Sequence, residues 1–121
     1  MNIVIPISEN IENATICLSF GRAPYFLMIN TQTGEKNRFQ NTAASSAGGA
    51  GIAAAQSIVD KGAQAVLVPR CGENAAKVLL AANIKLFKTV GESVLENIDA
   101  FSAGRLSELD NIHPGFHHHG G

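Results

Sequence analysis

Apolar positions come in short runs near the start of the chain and at helical spacing further on. Ile3 to Ile7 is a continuous apolar run of strand length; Thr15 to Phe20 and Tyr25 to Thr31 are two more, separated by Gly21 and Pro24. Three early strands are predicted. Pro6 has no N–H to give a ladder, so it is expected at the end of its strand. Thr33-Gly34-Glu35-Lys36 reads as a turn, and Asn37 to Gln40 as a short polar edge strand. Asn41 to Gly51 consists almost wholly of Thr, Ala, Ser and Gly, has little to bury and reads as a flexible loop.

Beyond that loop the period changes. Ile52, Ala55 and Val59 predict a first helix that Gly62 closes, and Ala65 to Val68 a short buried strand. Ala75, Val78, Leu79 and Ala82 predict a second helix ending near Asn83, with a strand from Ile84 to Phe87 after it. In the third, Ser93 and Glu96 form a capping box, Val94, Leu95, Ile98 and Phe101 the apolar stripe, and Gly104 the stop. Helix–strand alternation implies parallel strands with crossover helices, while the closely connected early strands imply antiparallel pairing. The predicted fold is α/β: a mixed sheet of about five strands flanked by helices. The domain is expected to span residues 1–108, with a flexible His-rich tail over 109–121.

Composition agrees with one globular domain, since 45% of the 121 residues are hydrophobic and 16% charged. A net charge of -1 gives no broad field for nucleic acid or anionic lipid, and no apolar stretch nears the roughly 20 residues that span a bilayer. No secretory n-region opens the chain, so a cytoplasmic protein is expected, without nucleic-acid or membrane partners. Asp60, Glu73, Glu92, Glu96 and Asp99 fall at helix ends or on solvated faces, with no spacing that pairs two of them for acid–base work. The expectation is a protein that is not an enzyme.

The residues left for chemistry are two thiols, a few arginines, glycines and the tail. Cys17 and Cys71 lie far apart and are expected as free thiols. Cys71 follows Arg70 at a strand end and precedes a helix, where a helix N-terminus lowers a thiol's pKa and where α/β sheets bind ligands. Cys17 reads either as a small buried hydrophobe or as a soft ligand on the strand face of Ser19. Arg22 and Arg70 read as solvated arginines or as holders of an anion. In a plain hairpin of the second and third strands, Arg22 would lie at the opposite sheet end from Arg70, so two separate sites stay open. Gly49-Ala50-Gly51-Ile52-Ala53-Ala54 matches a dinucleotide loop loosely, but no apolar strand leads into it and no acid for a ribose follows. His113, His117, His118 and His119 are all four histidines, dense enough to chelate a divalent metal. Pro114-Gly115-Phe116 breaks the run, unlike a cloning tag.

Three segments in order, Phe20-Gly21-Arg22-Ala23-Pro24-Tyr25-Phe26, Gly48-Gly49-Ala50-Gly51-Ile52 and Gly72-Glu73-Asn74-Ala75, resemble signature segments of the dinitrogenase iron–molybdenum cofactor biosynthesis family. The resemblance runs from Met1 to about Leu106. It implies a ribonuclease-H-like three-layer domain without nuclease activity, in keeping with a first strand that carries no acid. It further implies a nitrogen-fixation accessory protein of anaerobes, a carrier for an iron–sulfur or iron–molybdenum cluster that meets donor and acceptor proteins as a monomer or weak homodimer. Its implied cofactor-binding positions are Ser19, Phe20, Gly21, Arg22, Gly48, Gly49, Gly51, Arg70, Gly72 and Asn74. Cys17, Cys71, His113, His117, His118 and His119 are the metal-ligand candidates that the residue types themselves supply. Ser19 stands where the family usually has His before Phe-Gly-Arg, and a hydroxyl is a weaker iron ligand than imidazole. The alternative is an interaction or regulatory module without a cluster, binding metal only on its tail.

Overall fold

The computed structural model describes residues 1–110 and 112–113. Strands β1 (Asn2–Ile7), β2 (Tyr25–Asn30) and β3 (Lys36–Gln40) come first, then a 3-10 turn (Thr42–Ser45) and helix α1 (Ala50–Asp60). β4 (Ala65–Val68), β5 (Cys71–Gly72), α2 (Glu73–Ala81), β6 (Lys85–Lys88), α3 (Val94–Ser102) and β7 (Ile112–His113) complete the order. The main sheet runs β3-β2-β1-β4-β6. β2 is antiparallel to both β1 and β3, whereas β4 is parallel to β1 and β6 to β4. β1, β3, β4 and β6 therefore all end at the same edge of the sheet.

Alternation along β1 assigns its side chains to two cores. Val4 joins Phe26, Val66 and Val68 beneath Ala54, Ala55 and Ile58 of α1 and Ala75, Ala76 and Leu79 of α2. Ile3, Ile5 and Ile7 join Leu27, Ile29 and Leu67 on the other face, under Val94 of α3, Leu106, Ala14 and Ile16. Small residues on α1 and α2 let the two helices sit side by side on one face. Gly62 at φ +80° closes α1, and Asn83, with φ 63°, follows α2. Among the described residues no helix is long and apolar enough to cross a membrane.

Four expectations need correction. Residues 15–20 are not a strand: Ile16 bridges Ile7 and Thr15 bridges Ser93 singly. β4 pairs with β1 only at Ile3 and Val4; further along, Ile7 bridges Ile16 and Pro6 O accepts the Cys17 N–H at 2.9 Å, a single contact that does not extend into a ladder. The segment instead wraps the sheet edge, placing Ile16 in the α3-side core and Phe20 in the α1/α2-side core. Ile52 and Leu95, assigned to buried stripes, are 45% and 57% exposed, and Asn97 is buried on α3. Residues 41–51 are not all loop, since they hold the 3-10 turn and the start of α1. Finally, residue 109 does not begin a free tail: Leu109 is buried, its N–H donating to Leu86 O at 2.9 Å, and Ile112–His113 pairs with Cys71–Gly72.

Candidate functional site

At the edge where β1, β3 and β4 end, the loop after β1 meets the first turns of α1 and α2. Ser19 Oγ accepts the Arg22 N–H at 3.3 Å, which fixes a tight turn over residues 19–22. Phe20 pins that turn from below, its ring 5.3 Å from that of Phe26. Gly21 lies directly on α1: a Cβ there would stand 2.8 Å from both Cα and N of Gly51. Buried Asn41 secures the same loop, its Nδ2 donating to Gly21 O at 3.0 Å and Ala23 O at 2.8 Å while its Oδ1 accepts from Ala43 N–H at 3.2 Å. Arg22 Nη1 donates to Ala44 O at 2.8 Å and Ser46 O at 2.7 Å, so it also clamps the segment leading into α1.

These elements enclose a hollow of about 430 Å³. The β1 loop contributes Ser19, Phe20, Gly21 and Arg22; α1 contributes Gly49 and Gly51; the stretch into α2 contributes Arg70, Cys71, Gly72 and Asn74. Nine of the ten positions expected to bind cofactor thus line one space, along with Cys71. Gly48 does not line it and is exposed. Cys17 does not line it either; half-buried, it packs against the α1/α2-side core. The two-site possibility is overturned, because residues 15–20 form no hairpin with β2 and both Arg22 and Arg70 reach the same hollow. His117, His118 and His119 lie outside the described residues, as does the His113 side chain.

Sequence reasoning missed Asn41, whose signal was a lone Asn at the head of a Gly- and Ala-rich stretch, and Leu18, Ile52 and Glu73 on the wall of the hollow. Leu18 is 66% exposed, an apolar lip that periodicity cannot distinguish from core.

Electrostatically the hollow favours an anion. The N-caps of α1 and α2 are Gly49 and Gly72, and neither helix has a side-chain cap. The first N–H groups of a helix lack intrahelical acceptors and carry its positive dipole end, and here the first turns of both helices line the hollow. Arg22 and Arg70 add full positive charges, against the single carboxylate of Glu73 among the lining residues described. No group of three or more His, Cys, Asp and Glu side chains is gathered for a metal ion among the described residues.

Cys71 corrects an expectation. Burial pushes its thiol up from 9.0 to about 11, because removing water penalises the thiolate more than the helix start favours it. At neutral pH it is a protonated thiol that packs like a small hydrophobe. Since the folded form holds its proton more tightly, its contribution to stability is complete below pH 9 and declines as pH rises towards 11. Wild type should lose roughly 2–3 kcal/mol more than Cys71→Ala over that interval. Urea unfolding at pH 8 and pH 11 measures it; parallel losses in the two proteins would contradict the burial assigned here.

A mixed sheet with a hollow at its strand ends, lined by Arg22, Arg70 and two helix starts, makes this an α/β domain with a cavity of positive character. Over residues 1–104 the chain matches the family model described as dinitrogenase iron-molybdenum cofactor, and it belongs to that family. The apo form of the orange protein from Desulfovibrio gigas superposes with a TM-score of 0.85 at 25% identity, covering 91% of this chain and 93% of that one. A candidate NifB protein from Thermotoga, assigned to the DUF35 family, gives a TM-score of 0.80 at 33% identity over 94% of this chain and 97% of its own. An uncharacterised protein of Methanocaldococcus jannaschii is 30% identical over 113 residues, which span 91% of this chain and 92% of the relative.

Proposed function

We propose that this protein is a non-catalytic carrier that holds an iron–sulfur or iron–molybdenum type cluster as an anion in the hollow and passes it between donor and acceptor proteins. The observation that carries the reading is the convergence of Arg22, Arg70 and two helix N-termini without side-chain caps on one space. Sulfide-bridged metal clusters are commonly anionic, and charge-assisted hydrogen bonds from guanidinium and backbone N–H groups suit them. Cys71, protonated at neutral pH, is a reserve ligand that would need to give up its proton to metal. An open mouth and few fixed ligands favour release, which a carrier requires. Family membership supports the cargo, and the ribonuclease-H-like class is kept as a proposal supported by a sheet with one antiparallel strand, β2, within it. An oxygen-sensitive cargo would suit the cytoplasm of an anaerobe. The reading that confines metal to the tail is less favoured, because it leaves the arginine-lined hollow without a use.

Anaerobic reconstitution with iron and sulfide, followed by absorption spectroscopy, tests this. Arg70→Ala should weaken cluster retention by roughly 10- to 100-fold, the effect of losing one charge-assisted hydrogen bond. Arg70→Lys should recover part of it, since lysine restores charge without the planar fork. A wild-type protein that takes up no cluster, or an Arg70→Ala variant that retains it as well as wild type, would sink the proposal.

A further inference from the structure

The two edges of the main sheet differ. β6 is covered: Lys88 N–H donates to Ser107 O and Leu109 N–H to Leu86 O, both at 2.9 Å, and Phe87 bridges Glu108. At the other edge β3 pairs with β2 and, among the described residues, with no further strand. Asn30 N–H donates to Glu35 O and Asn41 N–H to Pro24 O, so by alternation Asn37 and Phe39 turn their backbone groups to β2. The N–H and C=O groups of Lys36, Arg38 and Gln40 therefore face outward, an open template for one more strand.

Along that strand the charges are positive. Lys36 and Arg38 lie opposite Ile29 and Leu27, so their side chains stand on the α3 side of the sheet, and both residues are exposed. Arg38 Nε donates to the neutral Asn10 Oδ1 at 3.1 Å. On the α1 side Lys61 Nζ stands 4.5 Å from the centre of the Phe39 ring. Glu35, the neighbouring acid, lies before the strand. Like charges directly opposite one another destabilise a sheet, and opposite charges stabilise it. A second copy is therefore disfavoured: antiparallel self-pairing centred on Arg38 sets that residue against itself, and pairing centred on Asn37 sets Lys36 against Arg38.

We propose that the β3 edge docks an extended acidic segment of another protein by strand addition. The outward N–H and C=O groups of Lys36, Arg38 and Gln40 give the affinity, and acids two residues apart in the incoming strand, opposite Lys36 and Arg38, give the selectivity. Gln40 leads directly into Asn41, whose side chain holds Gly21 O beside the hollow. A protein docked on β3 is thereby brought next to the loop that lines the hollow. That the docked protein is a cluster donor or acceptor rests on the carrier reading; the docking itself does not.

The probe is an end-capped heptapeptide alternating Glu and Val, added to the full chain without cluster and followed through backbone amide signals. It should shift the amides of residues 36–40 and slow solvent exchange of the Lys36, Arg38 and Gln40 N–H groups, leaving residues 85–88 on the covered edge unchanged. Lys36→Gln combined with Arg38→Gln should weaken binding by roughly 2- to 30-fold, the loss of two opposite-charge cross-strand pairs. Lys36→Glu combined with Arg38→Glu should reverse the preference towards a peptide alternating Lys and Val. Both side chains are exposed, so the variants should keep the fold, which their unchanged signals at residues 85–88 would verify. The proposal is overturned if the acidic peptide leaves residues 36–40 unshifted, or if the Lys–Val peptide or a thymidine oligonucleotide shifts them in wild type as strongly. A dimer formed through residues 36–40 at rising protein concentration would also overturn it, by giving the edge to a second copy. Because no cluster is added, reconstitution can fail while this docking stands, and docking can fail while the carrier reading stands.

Discussion

Gly21→Ala is expected to cost about 3 kcal/mol of stability, at the upper end of the overpacking range, and to lower the melting temperature by roughly 10 °C. The new Cβ would stand 2.8 Å from backbone atoms of Gly51, which cannot move aside as a side-chain end can. Either the 19–22 turn lifts from α1 or the helix start shifts, and each movement distorts the hollow between them. Loss of anion affinity should therefore accompany the loss of stability. Gly48→Ala is the control: nothing lies within 4 Å of a Cβ there, and the change should stay within about 0.5 kcal/mol. Urea unfolding of both variants decides the matter. Equal costs would mean that the close approach of loop and helix is not as described.

Asn97→Ala should cost a comparable amount, about 3 kcal/mol, and leave the hollow untouched. Asn97 is 1% exposed, and its side chain is fully engaged with backbone: Oδ1 accepts from Val90 N–H at 2.8 Å, while Nδ2 donates to Val90 O at 2.9 Å and Ser93 O at 2.8 Å. Alanine removes all three bonds, to Val90 N–H, Val90 O and Ser93 O, and leaves a hole at a position that is 1% exposed. Asn97→Asp should do no better at neutral pH, because its carboxylate would face two carbonyl oxygens. α3 packs on the sheet face opposite α1 and α2, so cluster or anion binding by the folded fraction should match wild type. Thermal unfolding combined with a binding titration separates the two effects. An Asn97→Ala protein of wild-type stability would show that the Val90–Asn97–Ser93 link does not hold α3 in place.

Together these variants distinguish the two faces of the sheet. Damage at Gly21 reaches the site because the site is the junction of loop and helix. Damage at Asn97 is confined to the scaffold.

How far the chain was legible depends on whether a feature is local. The span of β4, the extents of α2 and α3, the Ser93 cap, whose Oγ accepts from Glu96 N–H at 3.2 Å, and the Gly62 stop all depend on a few neighbouring residues. Spacing alone determined them, as it did the switch from closely connected strands to helix–strand alternation and hence the mixed sheet. The ordered glycine and arginine segments likewise marked most of the residues that line the hollow. Spacing reports that a side chain will be buried, however, and not what buries it. Ile16 and Phe20 are buried as any strand residues would be, yet residues 15–20 pass from one core to the other at the end of β1, touching it by one bridge instead of adding a strand. Burial of Cys71 outweighed its place at a helix start, and desolvation is a property of everything packed around the thiol. The meeting of Arg22 with Arg70, and of β7 with β5, joins positions tens of residues apart. Only the closed chain, in which competing partners for each edge and cavity have been settled, could decide those contacts.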